Sequence, residues 1–178
     1  KMDAQRNLLE IIKGVQVQSG TPAGKMISAN DIKTKVDGVV RNFDVVDTKY
    51  FADGGVDVII RVPLDGVLVE TLVPDAGSKT GATGTDAAGH SALILDATGL
   101  GVEPALAPKV LDESGKEVFS AAVVSKDKLR DAGVCAYAKS IDAAKTDKRA
   151  GNKPLVIKAA KRAAGSKNDL VLSSKDAA

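Results

Sequence analysis

Between residues 30 and 64 the spacing of apolar positions changes period, and each period marks an element. Ile32, Val36, Val39 and Val40 recur at i, i+4, i+7 and i+8, one apolar face of a helix, with Lys33, Lys35, Asp37 and Arg41 largely opposite. Asn30 and Asp31 are capping residue types at its start. Val56, Val58, Ile60, Val62 and Leu64 then alternate with Asp57, Ile59, Arg61 and Pro63, the period of a strand with one buried face. On the preceding strand Val46, Thr48 and Tyr50 share one face, and Phe43, Val45, Asp47, Lys49 and Phe51 the other. Placing Val46 and Tyr50 on the buried side with Val58 and Ile60 requires an even index sum, so Tyr50 pairs with Val56. The odd-membered loop 51–55 remains, and Gly54 and Gly55 supply the positive φ that a bulged hairpin needs. In this register Ile60 is a core candidate, for which truncation to Ala costs roughly 2–5 kcal/mol.

Upstream, Ala4, Leu8, Ile11, Ile12 and Val15 follow helical spacing, and Gly14 stands where a positive φ often closes a helix. Residues 15–17 read as a short strand and 19–24 as a loop. The order is helix, strand, helix, strand, strand, an α+β unit in which two helices cover one face of an antiparallel sheet. Leu68, Val69, Leu72 and Val73 form a short apolar exit from it.

Residues 74–89 carry Ala, Gly, Ser, Thr and Asp with no apolar period, the composition of a linker. Gly77 to Gly81 superficially resembles the end of a phosphate-binding loop, but the required order of glycine and lysine is missing. Such a segment is expected to be mobile in a monomer and, where ordered, to make its contacts mostly with another copy of the chain. Beyond it, residues 92–97 read as a strand, and 109–111 and 116–119 as a hairpin around Asp112 to Gly115. Residues 121–124 extend that hairpin or make a strand of their own; 126–131, ending at Gly133, and 140–145 read as short helices, and 155–159 and 169–172 as strands. The expected organisation is an α/β strand-helix-strand-strand domain over 1–73, a linker over 74–90 and a β-rich second domain over 91–178.

Composition narrows the possible functions. The chain of 178 residues is 44% apolar but only 3% aromatic and has no Trp, so the core is aliphatic and few side chains can stack on bases or sugars. The net charge of +2 is uneven: residues 145–178 hold nine Lys or Arg against three Asp, and residues 1–75 hold nine against eleven acids. Lys148, Arg149, Lys153, Lys158, Lys161, Arg162 and Lys167 lie among Gly and Ala without aromatic partners, which reads as a solvated surface rather than a nucleic-acid site. A single cysteine, Cys135, forms no intrachain disulfide and no multi-cysteine zinc site, and suits the role of a small buried apolar group. No run of about eighteen apolar residues is present to span a bilayer. The chain starts inside an apparent helix without a cap, so further residues upstream in a precursor are expected.

Candidate chemistry is sparse. His90 is the only histidine and reads as solvated or locally bonded; Asp44, Asp47, Asp53 and Asp57 read as strand-edge and turn acids without calcium-loop spacing. No catalytic, cofactor-binding or metal-binding residue is assigned, and no enzyme activity or cofactor is expected.

Two stretches carry a resemblance. Asp3-Ala4-Gln5-Arg6-Asn7-Leu8-Leu9-Glu10-Ile11-Ile12-Lys13-Gly14-Val15, with residues 45–51 and 56–64 downstream, resembles the lipoprotein-20-like family of bacterial envelope proteins, which includes the flagellar outer-membrane lipoprotein of basal disks. Residues 93–112, from Leu93-Ile94-Leu95-Asp96 to Lys109-Val110-Leu111-Asp112, look like the second block that accompanies it. The resemblance implies export to the periplasm, outer membrane or extracellular space, no enzyme activity, and assembly with copies of itself or with other envelope or flagellar proteins. The family's lipidated N-terminal cysteine is not matched in this sequence, so the expectation is either an upstream anchor, through which any membrane contact would run, or a soluble or extracellular member. The expected function is a structural protein that forms a ring, disk or filament, with Ile59 among the exposed apolar candidates; the alternative is a periplasmic glycan- or peptide-binding module using a cleft between the halves. A hydrolase built on His90 ranks third.

Overall fold

The computed structural model describes residues 2–28, 30–63, 66–73, 77–78 and 89–177, the side chains of Met2, Asn30 and Asp31 excepted. The capping side chains proposed for the second long helix, and nearly all of the 74–89 segment, therefore lie outside the described residues.

The fold is α+β. Helix α1 (Met2–Gly14) buries Ile12 and turns Ile11 to solvent. Gly14 is not in the left-handed region; the Val15 N–H instead reaches back to the Ile12 carbonyl at 3.0 Å, a tightened last turn. Residues 19–24, expected to be a loop, contain more structure: β1 (Gln16–Gln18) turns at Gly20 into β2 (Thr21–Pro22), and helix α2 (Ala23–Met26) follows directly. Pro22 is tolerated because β2 is an edge strand. Helix α3 (Asn30–Arg41) matches its periodicity, with Val36 and Val40 buried and Ile32 and Val39 packed on the core.

Strands β3 (Asp44–Tyr50) and β4 (Val56–Arg61) form a hairpin with Tyr50 opposite Val56, as the loop length requires. Two expectations fail here. First, the hairpin pairs with no third strand among the described residues, and β1 pairs with β2 rather than with it, so no single sheet lies beneath the helices. Second, its apolar face is not covered: Val46 and Tyr50 are 54% and 79% exposed, and Val58 and Ile60 only half-buried. Ile60→Ala is accordingly expected to cost about 1 kcal/mol, below the ~2–5 of a core site, as read from urea unfolding.

The centre of the core is the stretch that the sequence suggested was only an apolar exit. Helix α4 (Val67–Leu72) buries Leu68, Val69 and Leu72, with Val73 beside them, each at most 2% exposed. Their i, i+1, i+4, i+5 spacing is helical, and α4 packs between α3 and α5 (Lys126–Ala132). The core continues across residue 73: Ala107, Ala121, Leu129 and Val134 belong to the same buried cluster as Ile12, Val36 and Leu72. Main-chain hydrogen bonds also cross, from Leu106 N–H to the Gln16 carbonyl at 2.9 Å, Ala107 N–H to the Val17 carbonyl at 2.8 Å and Gly66 N–H to the Arg130 carbonyl at 3.0 Å.

The remaining elements are β5 (Ala92–Asp96), β6 (Val110–Leu111), β7 (Glu117–Phe119), α6 (Ile141–Thr146), β8 (Pro154–Lys158), β9 (Lys161–Arg162) and β10 (Leu170–Val171). Residues 121–123 form a 3-10 turn rather than a strand, because the Ser120 hydroxyl accepts the Ala122 N–H and starts a helical turn. Ser125 and Ser140 cap α5 and α6 in the same way, and Gly133 at φ 70° ends α5. The order β7-β6-β10-β9 makes a four-stranded mixed sheet, while β5 and β8 pair in parallel as a separate two-stranded sheet.

Candidate interaction surface

The β3–β4 hairpin concentrates exposed apolar side chains on a platform with its own logic. The Phe51 N–H donates to the Gly55 carbonyl at 2.9 Å and the Gly54 N–H to the Phe51 carbonyl at 3.1 Å, with Gly54 at φ 85°. This is a three-residue loop ending in a left-handed glycine, and the Asp53 carboxylate locks it by accepting the Gly55 N–H at 2.9 Å. Gly55 itself does not take a positive φ.

Cross-strand pairs run Tyr50 with Val56, Lys49 with Asp57, Thr48 with Val58 and Asp47 with Ile59; a bulge at Val46 then sets Val45 opposite Ile60 and Asp44 opposite Arg61. Val46, expected to stand beside Ile60, is the extra residue. The bulge sorts the two faces. Val45, Thr48, Tyr50, Val56, Val58 and Ile60 form one apolar face, while Asp44, Asp47, Lys49, Asp57 and Arg61 form the other, with Ile59 in their midst. Phe51, Val56 and Ile59 are each 50% exposed. A two-stranded ribbon is marginal in water by itself, so an uncovered apolar face of this kind is a candidate interaction surface.

A second exposed apolar pair sits on the β5–β8 sheet, where Leu93 faces Leu155. Ser91 clamps the start of this sheet: its hydroxyl donates to the Ala150 carbonyl and accepts the Lys153 N–H, and its N–H donates to the Lys153 carbonyl.

The residues with catalytic potential are dispersed. Cys135 lines a cavity of about 350 Å³ together with Tyr137 and Arg149, and Val15 and Val69 from the first half of the chain line it too. Burial pushes the Cys135 thiol up, which keeps it protonated and poorly nucleophilic. The Tyr137 hydroxyl is also pushed up by burial, and it bonds both the N–H and the carbonyl of Ala105 at 3.0 Å. His90 precedes β5, half-buried, and is not among the described residues lining that cavity. Asp44 approaches Arg61 at 3.9 Å, the Asp47 carboxylate accepts the Thr48 N–H at 2.8 Å, and Asp53 holds its turn, so these acids act on their own hairpin. Lys148, Arg149, Lys153, Lys158, Lys161, Arg162 and Lys167 are all exposed. Among the described residues no cluster of three His, Cys, Asp or Glu is placed to hold a metal ion.

Three carboxylates are held below their usual range by local donors: Asp112 by the Ser114 hydroxyl first, Glu113 by the Ser174 hydroxyl and Asp96 by the Thr98 hydroxyl. Depressed folded-state values mean that these turns contribute stability at neutral pH and lose it as pH falls through them.

No curated protein matches this chain. Residues 92–178 match the family model described as Treponema pallidum Tp0624, second domain, a family that links the second half of the chain to a bacterial, spirochete protein.

Proposed function

We propose that this protein is a non-enzymatic structural component of the bacterial envelope or extracellular space that self-associates into a homo-oligomeric ring, disk or filament. The uncovered apolar face of the β3–β4 hairpin carries the reading, since it joins exposed side chains to a strand edge, that of β4, with which no strand pairs among the described residues. The resemblance of residues 3–15, 45–51, 56–64 and 93–112 to the lipoprotein-20-like family supports it, as does a bacterial match over residues 92–178. That resemblance also suggests export to the periplasm, outer membrane or beyond, and other envelope or flagellar proteins as partners. No helix among the described residues is long and apolar enough to cross a membrane, so in this proposal contact with one runs through an anchor.

Light scattering after size exclusion, with electron microscopy of the same fractions, tests the proposal. Particles larger than a dimer are expected, and a stable monomer at high concentration overturns it. One observation favours a second reading, a periplasmic glycan- or peptide-binding module: the cavity beside Tyr137 and Arg149 lies between the two halves of the chain and is within the size range of ligand pockets. Saturable binding of cell-wall fragments that Arg149→Ala weakens would favour it.

A further inference from the structure

We infer that two copies of the chain join edge to edge through β4, antiparallel about a two-fold axis at Ile59, to make a four-stranded sheet ordered β3-β4-β4-β3. This rests on the self-association reading and names its contact surface.

The hairpin has two outer edges, and they are not equivalent. Because Phe51 and Gly55 form the hydrogen-bonded pair next to the loop, the alternation along the ladder turns the backbone groups of Thr48, Val56, Val58 and Ile60 outward. On β3 that edge is already blocked. The outward Thr48 N–H is taken by the Asp47 carboxylate at 2.8 Å, and the bulge at Val46 breaks the straight run of donors and acceptors. Strand β4 has neither device, and among the described residues no strand pairs with its outer edge.

Its side chains select both the partner and the register. Outward residues must pair with outward residues, so only even index sums are allowed. A sum of 118 sets Val58 opposite Ile60 of the second copy and Ile59 opposite Ile59, and it brings Asp57 opposite Arg61 twice, once on each side of the axis. Moving the register by one allowed step sets Asp57 or Arg61 against Ile59, and a further step one way opposes Asp57 to Asp57. Only the first choice is self-complementary in charge. Combined with the pairs already made within each hairpin, it produces a row across the sheet of Lys49, Asp57, then Arg61 and Asp44 of the second copy, alternating in sign at every step. On the opposite face the two apolar faces merge into one. The ribbon that is marginal alone becomes a sheet of four strands. The contact is isologous and closes at two copies, so growth beyond a dimer needs another contact.

The test places a cysteine on the axis. Ile59 stands in the non-hydrogen-bonded pair, where Cα atoms lie about 4.5 Å apart, within disulfide reach. In a Cys135→Ala background, Ile59→Cys is expected to form a covalent dimer on mild oxidation. Lys49→Cys in the same background is expected not to, because its counterpart lies three strand spacings away, about 14 Å across the sheet and further still along it. Ile59→Lys opposes two ammonium groups at the axis and is expected to weaken dimerisation more than tenfold by sedimentation. Assembly with no preference for cysteine at 59 over 49, or unchanged assembly of Ile59→Lys, overturns the β4 contact and leaves self-association standing. A covalent dimer at 59 with no larger particle upholds the contact and overturns the ring, disk or filament. A chain that stays monomeric and uncrosslinked overturns both.

Discussion

Leu129→Ala is expected to lower stability by about 2–5 kcal/mol and to do so for both halves of the chain at once. Leu129 comes from α5 in the second half and is fully buried, yet the cluster it enters holds Leu72, Val36 and Ile12 from the first. Truncation leaves a cavity at the place where the halves meet. The neighbouring ion pair of Arg130 and Glu70, 3.4 Å apart, is too exposed to compensate. Hydrogen exchange read separately on α3 and α5 checks the coupling, and loss of protection in both to a similar extent is the expected outcome. If α3 keeps its protection while α5 opens, the two halves do not depend on a common core.

Gly151→Ala is expected to cost about 2–4 kcal/mol, combining two independent penalties. Gly151 sits at φ 68°, where a side chain is strained, and an added Cβ would stand 2.6 Å from the Ser91 Cβ and 2.8 Å from its hydroxyl oxygen. Ser91 has little freedom to withdraw, because its hydroxyl is bonded to Ala150 and Lys153. The β5–β8 pairing that it clamps would loosen first. Gly165→Ala is the natural control: its φ of 74° is equally unfavourable to a side chain, but the space around it is open, so it should lose only about 1–2 kcal/mol. Equal losses in thermal unfolding at the two positions would show that contact with Ser91 contributes nothing.

The hairpin shows how far local pattern extends toward the candidate surface. Alternation and loop length led to Tyr50 opposite Val56 and singled out Ile59 as an exposed apolar side chain, and both hold in the fold. The sorting of the two faces did not follow from pattern alone. Strict alternation put Val46 beside Ile60, and the bulge put Val45 there instead, a change of register worth a single residue that no local periodicity signals. Alternation also suggested that the apolar face was buried. A face of Val, Tyr and Ile asks for a cover, but the pattern is silent on whether its own chain or another supplies it.

By itself, the sequence determined the elements whose signals lie within a few residues of one another. These include α3 from its four apolar positions, the short helices α5 and α6, the closure of α5 at Gly133, and the β6–β7 turn, where the Asp112 carboxylate gathers the N–H groups of Ser114 and Lys116. Tertiary structure decided everything that depends on distant partners. The parallel pairings of β5 with β8 and β6 with β10 join strands about sixty positions apart, and two-residue β9 exists only because β10 lies beside it. Residues 67–73 carried a helical spacing all along, but their place at the centre of the core came from α3 on one side and α5 on the other. The physical reason is that hydrogen bonds within a turn or helix are set by neighbours in the chain, whereas burial is set by whichever apolar surfaces the whole fold brings together.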